Sequence, residues 1–301
     1  MSGFPGELSA RWWAQEGDAV TCGLCFRGCH IPEGASGAVS PFPAGACGVR
    51  FNMKGTLVSP WLGRFVSCAV DPIEKKPLAH WRPGSFIYSL GSVGCTMDCP
   101  FCQNHTIARP DRHVFRSFDS VPFLPPEALV REVRKLGLNS VALTYNEPTL
   151  QAEYVLEAAP LLREAGIALV LVTNGALSPA AARDLLPWVD AANIDLKAFT
   201  PEGYRHLGGD WEAVKATITA WVQGGVHVEL TNLVVPKLND DCEAFTAMVE
   251  WIAALSPDIP LHISRYFPRR NYSEPPTDIG LLHDLAAIAR GRLAHVHLGN
   301  V

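Results

Sequence analysis

The sequence predicts an α/β protein built as a partial (β/α)6 barrel, and two observations carry that prediction. From Ser85 onward, short apolar runs alternate regularly with segments whose apolar residues recur at helical spacing. The apolar runs are hydrophobic almost throughout, which is typical of parallel strands covered on both faces. Parallel strands that alternate with helices are joined by right-handed crossovers, and the six units of this chain fit a partial barrel.

The first predicted strand covers residues 85–92 and leads directly into a cysteine-rich loop. In the segment that follows, Leu129, Val133 and Leu136 recur on one face and predict a helix over 126–136. The other strands are expected at 140–145, 167–173, 192–197, 226–235, 261–266 and 296–299. The other helices are expected near 149–165, 179–186, 211–223, 241–254 and 278–290. Polar residues come where the strands end, and in α/β barrels that edge carries the chemistry.

Composition limits the classes of function. The 301 residues include 48% hydrophobic residues and carry a net charge of −5, so the chain can bury a large core and lacks a basic nucleic-acid surface. The N-terminus has no basic start followed by an apolar block, and the longest strongly apolar run, 165–172, is too short to cross a bilayer. We therefore expect a cytoplasmic protein without nucleic-acid or membrane partners.

Three cysteines lie close together in the loop after the first barrel strand. Cys95, Cys99 and Cys102 have the spacing C-x3-C-x2-C, and soft thiolates select iron–sulfur clusters, zinc or copper(I). The next cysteine is Cys242, so a cubane cluster bound here would keep one iron without a protein ligand. A closed zinc site would need a fourth ligand, for which His105 is the candidate. The spacing favours the open cluster, with zinc as the alternative.

A second group of cysteines, Cys22, Cys25, Cys29 and Cys47, lies in a stretch rich in glycine and proline. Four thiolates complete a coordination shell, so this site is expected to be structural or electron-carrying rather than catalytic. The pattern C-x2-C-x3-C-x17-C favours zinc, because a zinc ribbon tolerates the long final gap. A second iron–sulfur cluster and four unligated thiols are the alternatives.

These features divide the chain into a metal-binding segment (1–55), a connecting region (56–84) and a barrel (85–301). Prolines in the run VDPIEKKPLAHWRPG exclude a long helix from the connecting region. Its charges indicate either a solvated loop or a loop over the barrel mouth. In the second case the residues that would face substrate are Lys75, Lys76 or His80.

The cysteine spacing, with the aromatic Phe101 before the third cysteine, resembles the signature of radical S-adenosylmethionine enzymes. The longer run CPFCQNHTIA is most similar to the AmmeMemoRadiSam branch, which is related to the activating enzymes of glycyl-radical proteins, and the resemblance extends from about Cys22 to Val301. It implies a 4Fe–4S cluster on three cysteines, with S-adenosylmethionine on the open iron. It further implies one-electron cleavage to a 5′-deoxyadenosyl radical that abstracts hydrogen, with flavodoxin or ferredoxin as electron donor.

The resemblance also implies which residues contact S-adenosylmethionine. They are Phe101, Asn146, Glu147, Thr173, Asn174, Asp195, Lys197 and His262. Considered as residues alone, several have simpler explanations. Asn146 could cap a helix, Asp195 and Lys197 could form a buried ion pair, and His262 could be a core histidine.

The resemblance leaves two classes of substrate. We expect a small molecule, with Memo-like and AMMECR-like proteins as partners, because two motifs typical of activases are altered in this chain. The alternative is a glycine on a partner protein, from which an activating enzyme removes hydrogen. A zinc-binding or redox scaffold without radical chemistry is the third reading.

Overall fold

A computed structural model describes residues 9–33, 44–109 and 118–301 of the chain. Its strands are β1 (Trp13–Glu16), β2 (Ala19–Cys22), β3 (His30–Ile31), β4 (Phe51–Met53), β5 (Thr56–Val58), β6 (Ser67–Pro72), β7 (Phe86–Gly91), β8 (Ser140–Leu143), β9 (Ala168–Thr173), β10 (Ala191–Asp195), β11 (His227–Val234), β12 (Leu261–Arg265) and β13 (Val296–Gly299). Its helices are α1 (His105–Ala108), α2 (Pro126–Lys135), α3 (Ala152–Glu164), α4 (Pro179–Leu185), α5 (Pro201–His206), α6 (Trp211–Gln223), α7 (Cys242–Leu255) and α8 (Ile279–Arg290).

Strands β6 to β13 form one sheet in chain order. β6 pairs antiparallel with β7, and every following pair is parallel. Helices connect the successive parallel strands, as the alternating pattern predicted. The α/β class and the partial (β/α)6 barrel are therefore confirmed, and each predicted barrel strand lies within two residues of its expected bounds.

Polar caps fix where five of the helices on the barrel begin. Each cap side chain accepts a hydrogen bond from a backbone N–H in the first turn, which satisfies one of the donors left open at a helix start. The capping residues are Ser178 for α4, Thr200 for α5, Asp210 for α6, Asp241 for α7 and Asp278 for α8. Because each helix starts at a defined residue, the loop before it has a defined length.

The short strands β1 to β5, strand β6 and the short helices α1 and α5 were not expected from the sequence. Strand β6 lies within the connecting region, where it forms an edge of the main sheet and leaves Cys68 and Val70 exposed. Its strand character is hard to read because Pro72 ends it and charged residues follow. Helix α5 has only six residues, too few to show helical periodicity.

The barrel strands bury apolar side chains on both faces. Their outer face packs against the helices, with Leu143, Leu171 and Ile194 in the larger core. On the inner face a smaller core forms near the amino-terminal ends of the strands, and Ile73 and Leu78 from the connecting region complete it. The loop after β6 thus closes the barrel at the end opposite the cysteine loop. It does not lie over the mouth.

The cysteine-rich segment packs on the mouth of the barrel. Strands β1, β2 and β3 form a small antiparallel sheet, and β4 and β5 form a hairpin. The backbone of Cys25 forms an isolated antiparallel β-bridge with Leu177 in the loop after β9. Arg27 Nε donates to Thr96 O over 2.7 Å. The two cysteine groups therefore lie on neighbouring loops. None of the helices in the described part of the chain combines the length and apolar character that crossing a bilayer requires.

Candidate active site

The cysteine loop leaves β7 at the barrel mouth and carries Cys95, Cys99 and Cys102. Cys99 is buried, and Cys95 and Cys102 are partly buried. The backbone N–H of Met97 donates to Cys95 Sγ over 3.4 Å, and Asn174 Nδ2 donates to the same sulfur over 3.6 Å. Hydrogen bonds to cysteine sulfur stabilise thiolate charge and tune iron–sulfur clusters. Asn174 therefore contacts a candidate cluster ligand. Its predicted contact with S-adenosylmethionine stays a prediction.

The loop after β12 also contacts the cysteine loop. Arg270 Nη1 donates to Cys99 O over 2.8 Å and to Asp98 Oδ1 over 2.7 Å. Phe101 packs edge-on against two tyrosines of the same region, Tyr266 and Tyr272, at centroid distances of 6.1 and 5.9 Å. The aromatic residue of the motif thus anchors the loop between Cys99 and Cys102. Its predicted contact with S-adenosylmethionine stays a prediction.

Burial governs the ionisation of two of the loop cysteines, Cys95 and Cys99. It raises the pKa of Cys95 to about 12, and the nearby negative charge of Glu147 adds to the effect. Burial also raises the pKa of Cys99. Thiols in such surroundings become thiolates only when a cation compensates their charge. The donor set, three soft thiols on one loop with N–H groups aimed at sulfur, fits a thiolate-ligated cluster.

The carboxylate of Glu147 is buried and joins the ends of β8 and β9. Its Oε1 accepts from Thr149 N over 3.0 Å, from Thr149 Oγ1 over 2.7 Å and from Thr173 Oγ1 over 2.6 Å. Its Oε2 accepts from Asn174 N over 2.9 Å. Burial raises the pKa of Glu147, although these hydrogen bonds oppose the rise. The observed role is to fix the strand ends, and the predicted contact with the amino group of S-adenosylmethionine stays a prediction.

Asn146 fixes the start of the cysteine loop. Its Oδ1 accepts from Ser92 N over 3.0 Å, and its Nδ2 donates to Gly94 O over 2.9 Å. The helix cap considered for Asn146 is supplied by Glu147, whose side chain accepts from Thr149 N at the start of a 3₁₀ turn. Asn146 is thus a positioning residue for the cluster loop.

Asp195 and Lys197 form an ion pair at the end of β10, with Nζ and Oδ2 2.8 Å apart. Burial would lower the pKa of Lys197, but the negative charges of Asp195 and Cys99 outweigh it and raise the pKa. The positive charge of Lys197 in turn lowers the pKa of Cys99 against the effect of burial. It is placed to offset the negative charge of a thiolate-ligated cluster.

Sequence reasoning missed a polar group inside the barrel, formed by Asp71, Lys76 and Tyr145. Asp71 Oδ2 accepts from Lys76 Nζ over 2.8 Å and from Tyr145 Oη over 2.7 Å, and Lys76 is only 2% exposed. Tyr145 has a φ of +72°, and its ring would lie 2.7 Å from a Cβ at position 91, so only glycine fits at Gly91. The charged run around Lys76 was the one available signal.

We expect Asp71 to make stability fall in acid. Burial would raise the pKa of Asp71, but the hydrogen bonds from Lys76 and Tyr145 hold it below its usual range. A carboxyl with a depressed folded-state pKa stabilises the fold above its unfolded pKa of about 3.9 and loses that contribution as the pH falls further. Urea unfolding from pH 7 to pH 3 should show the difference between wild type and Asp71→Asn shrinking in acid. Asp258→Asn, at an exposed position, is the control and should change the free energy of unfolding at pH 7 by less than about 0.5 kcal/mol.

His262 lies in the barrel interior on Glu229, with Nε2 and Oε2 2.7 Å apart. It is the second residue of β12, and its ring stacks on His297 of β13 at 5.0 Å. Glu229 is fully buried and also accepts from His227 and from two backbone N–H groups. These hydrogen bonds hold its pKa well below the usual range against the effect of burial. The predicted approach of His262 to adenine stays a prediction.

The four N-terminal cysteines lie near enough to one another to affect each other's ionisation. Burial raises the pKa of Cys25 to about 12, and the charges of Cys47, Cys22 and Cys29 add to it. Arg50 is buried and donates from Nη1 to Cys22 Sγ over 3.5 Å. A buried cation next to a cysteine sulfur suits a thiolate-rich centre with net negative charge.

Within the described residues, no three His, Cys, Asp or Glu side chains already surround one point as ligands of a single metal ion. In a cubane each thiolate binds its own iron, so the central triad does not need its sulfur atoms to meet at one point. The chemistry of the donors, and not a preformed mononuclear geometry, is what fits the group.

Comparison with known proteins identifies the family. The family described as the Radical SAM superfamily matches residues 90–249. An uncharacterized protein of Methanocaldococcus jannaschii is 34% identical, over 94% of this chain and 81% of its own. A second protein of that organism, whose name assigns it provisionally to the glycyl-radical enzyme activating enzymes, is 26% identical over 69% of this chain and 84% of its own.

Among solved structures, SuiB of Streptococcus suis bound to S-adenosylmethionine superposes with a TM-score of 0.52 and 15% identity, covering 69% of this chain and 48% of that chain. This likeness concerns the fold alone. The family match spans more than half of the sequence and includes the three cysteines of the barrel mouth. The chain therefore belongs to the radical SAM superfamily, whose members bind a 4Fe–4S cluster and S-adenosylmethionine.

Proposed function

We propose that Cys95, Cys99 and Cys102 hold a 4Fe–4S cluster with one open iron, and that the chain uses it to remove hydrogen from a small-molecule substrate. The observation that carries this proposal is the loop itself. It presents three thiols at the mouth of the barrel, with N–H donors on Cys95 Sγ and a lysine whose positive charge lowers the pKa of Cys99. When bound, the cluster and S-adenosylmethionine supply a 5′-deoxyadenosyl radical, with an electron from flavodoxin or ferredoxin.

The chain's own residues prepare this site. Asn146 holds the start of the cysteine loop, and Glu147 holds the ends of β8 and β9 on which Thr173 and Asn174 stand. Ile73 and other apolar residues pack together at the end of the barrel opposite the cysteine loop. Water is thereby excluded from that side, which protects a reactive radical.

We assign the chain to the AmmeMemoRadiSam branch and expect Memo-like and AMMECR-like partners. The run CPFCQNHTIA supports this assignment, and the run DPIEKKPL of the connecting region also resembles one that the family carries. In the second run, Lys76 and its neighbours close the barrel floor and bind Asp71, so the motif has a defined structural use. For the N-terminal cysteines we propose zinc.

Glycyl-radical activation is the second candidate function. The similarity to a relative named for that activity supports it, at 26% identity over 69% of this chain. Activation would require a partner polypeptide whose glycine reaches the barrel mouth. A glycyl-radical EPR signal on a partner, formed only with S-adenosylmethionine and reductant, would favour this function over the small-molecule reaction.

The test of the proposed function is anaerobic reconstitution with iron and sulfide. With dithionite as reductant, the protein should convert S-adenosylmethionine to 5′-deoxyadenosine and methionine, measured by chromatography. Metal analysis of the same sample should give about four irons and one zinc per chain. About eight irons and no zinc would replace the N-terminal zinc with a second cluster. Absence of 5′-deoxyadenosine from a sample with its full iron content would overturn the radical function.

A further inference from the structure

Tyr145 has a backbone conformation that its residue type rarely adopts. Its φ of +72° lies in the left-handed region, which is unfavourable for a residue with a bulky side chain. Such a conformation persists only where the surroundings hold it, and strained residues of this kind concentrate at functional sites. Tyr145 comes directly before Asn146 and Glu147, which hold the cysteine loop and the strand ends. The conformation of Tyr145 therefore bears on the candidate active site.

Three neighbours hold the side chain of Tyr145. Its Oη donates to Asp71 Oδ2 over 2.7 Å, and the same oxygen accepts from Lys76 Nζ over 2.8 Å. The ammonium group of Lys76 also lies 4.6 Å from the centroid of the Tyr145 ring, within the range of a cation–π contact. The ring packs against Gly91, where a Cβ would lie 2.7 Å from it. These contacts fix the side chain to β6, to β7 and to the loop after β6.

The backbone carbonyl of Tyr145 holds a different part of the chain. It accepts a hydrogen bond from Asn104 Nδ2 over 2.7 Å, and Asn104 lies two positions after Cys102. Helix α1 begins at Asn104, yet the side chain makes no capping hydrogen bond to that helix, although capping is a common use of asparagine at this position. The side chain is directed to Tyr145 instead. Tyr145 thus links β6 to the end of the cysteine loop.

The φ torsion of Tyr145 couples the side-chain contacts to the carbonyl contact. Before this torsion, Thr144 N donates to Leu90 O over 2.9 Å, so the end of β8 is fixed on β7. A change of φ rotates both the ring and the carbonyl of Tyr145 relative to that fixed end. A return to negative φ would therefore turn the carbonyl away from Asn104 and the hydroxyl away from Asp71. The hydrogen bond to Asp71 opposes this return and so preserves the bond from Asn104.

We propose that Tyr145 is a positioning residue for the radical reaction. Its hydroxyl bond to Asp71 maintains the backbone conformation in which its carbonyl holds Asn104. The cysteine loop is then held on both sides of the triad, by Asn146 at its start and by Asn104 just after Cys102. Contacts behind the ligands of a metal centre orient those ligands. The inference deepens the proposed function and rests on it, because it takes the triad as the cluster ligands.

Tyr145→Phe tests the inference, because it removes the hydroxyl and keeps the ring on Gly91. The reconstituted variant should hold as much iron as the wild type but bind S-adenosylmethionine at least about 10-fold more weakly. The affinity is measured from the EPR spectrum of the reduced cluster as S-adenosylmethionine is added. Hydrogen exchange should be faster over residues 92–109 and unchanged in α7. Tyr88→Phe is the matched control: Tyr88 follows the inner-facing Ile87 in β7, so its hydroxyl lies on the outer face, and all values should equal those of the wild type.

Asn104→Ala breaks the same link at its other end. It should weaken the binding of S-adenosylmethionine by a similar factor, and the double variant with Tyr145→Phe should bind no more weakly than either single variant. Equal affinity of Tyr145→Phe and the wild type, or losses that multiply in the double variant, would overturn the inference and leave the proposed function intact. A wild type with its full iron content whose EPR spectrum does not respond to S-adenosylmethionine would overturn both.

Discussion

Replacing Cys99 by alanine should abolish the formation of 5′-deoxyadenosine and remove the iron bound at the barrel mouth. Cys99 is the buried central member of the triad, and two remaining thiols cannot hold three corners of a cubane. The measurements are iron content per chain and 5′-deoxyadenosine formed from S-adenosylmethionine and dithionite under anaerobic conditions. We expect zinc at the N-terminal cysteines to be retained, since Cys99 belongs to the other group.

Cys242→Ala is the matched control for this loss. Cys242 is exposed at the start of α7 and belongs to neither cysteine group, so iron content and turnover should both equal the wild-type values. If Cys99→Ala kept full iron and turnover, the assignment of the triad as cluster ligands would be wrong. If Cys242→Ala lost both, the chemistry would depend on a cysteine that our assignment excludes.

The second large effect should come from the buried ion pair of Arg50 and Glu153. Arg50 is 1% exposed and donates from Nη2 to Glu153 Oε1, so Arg50→Met leaves a buried carboxylate without its cation. Loss of one partner of a buried pair typically lowers the free energy of unfolding by about 3–5 kcal/mol. Because Arg50 also contacts Cys22 Sγ, the variant should release the N-terminal metal faster.

A double-mutant cycle separates the two roles of Arg50. Arg50→Met combined with Glu153→Leu removes both charges and should recover most of the lost stability, because a buried pair replaced by apolar residues is often near neutral. The faster metal release should persist, because the contact with Cys22 is still missing. Glu157→Gln breaks an exposed pair with Arg11 and should change stability by less than about 1 kcal/mol. A single variant as stable as the double variant would contradict the role of the pair.

The barrel could be predicted because its strands and helices have periodic apolar patterns that local sequence displays. The cysteine triad could be predicted because its ligands are close in sequence. The contact between His80 and His297 could not be predicted, since the two residues are 217 positions apart in the sequence and meet only through tertiary structure. Neither could the use of Glu147, which depends on hydrogen bonds from two strand ends. The positive φ of Tyr145 could not be predicted either, because a tyrosine seldom adopts it.

The contacts between the two cysteine-bearing segments affect how the cysteine loop folds. Arg27 holds the carbonyl of Thr96, Arg109 Nη1 donates to Ala46 O over 2.6 Å, and a Cβ at position 94 would lie 2.8 Å from Cys47 O. Each of these contacts links a residue beside one group of cysteines to a residue beside the other. We therefore expect the folded N-terminal segment to hold the cysteine loop in its position at the barrel mouth.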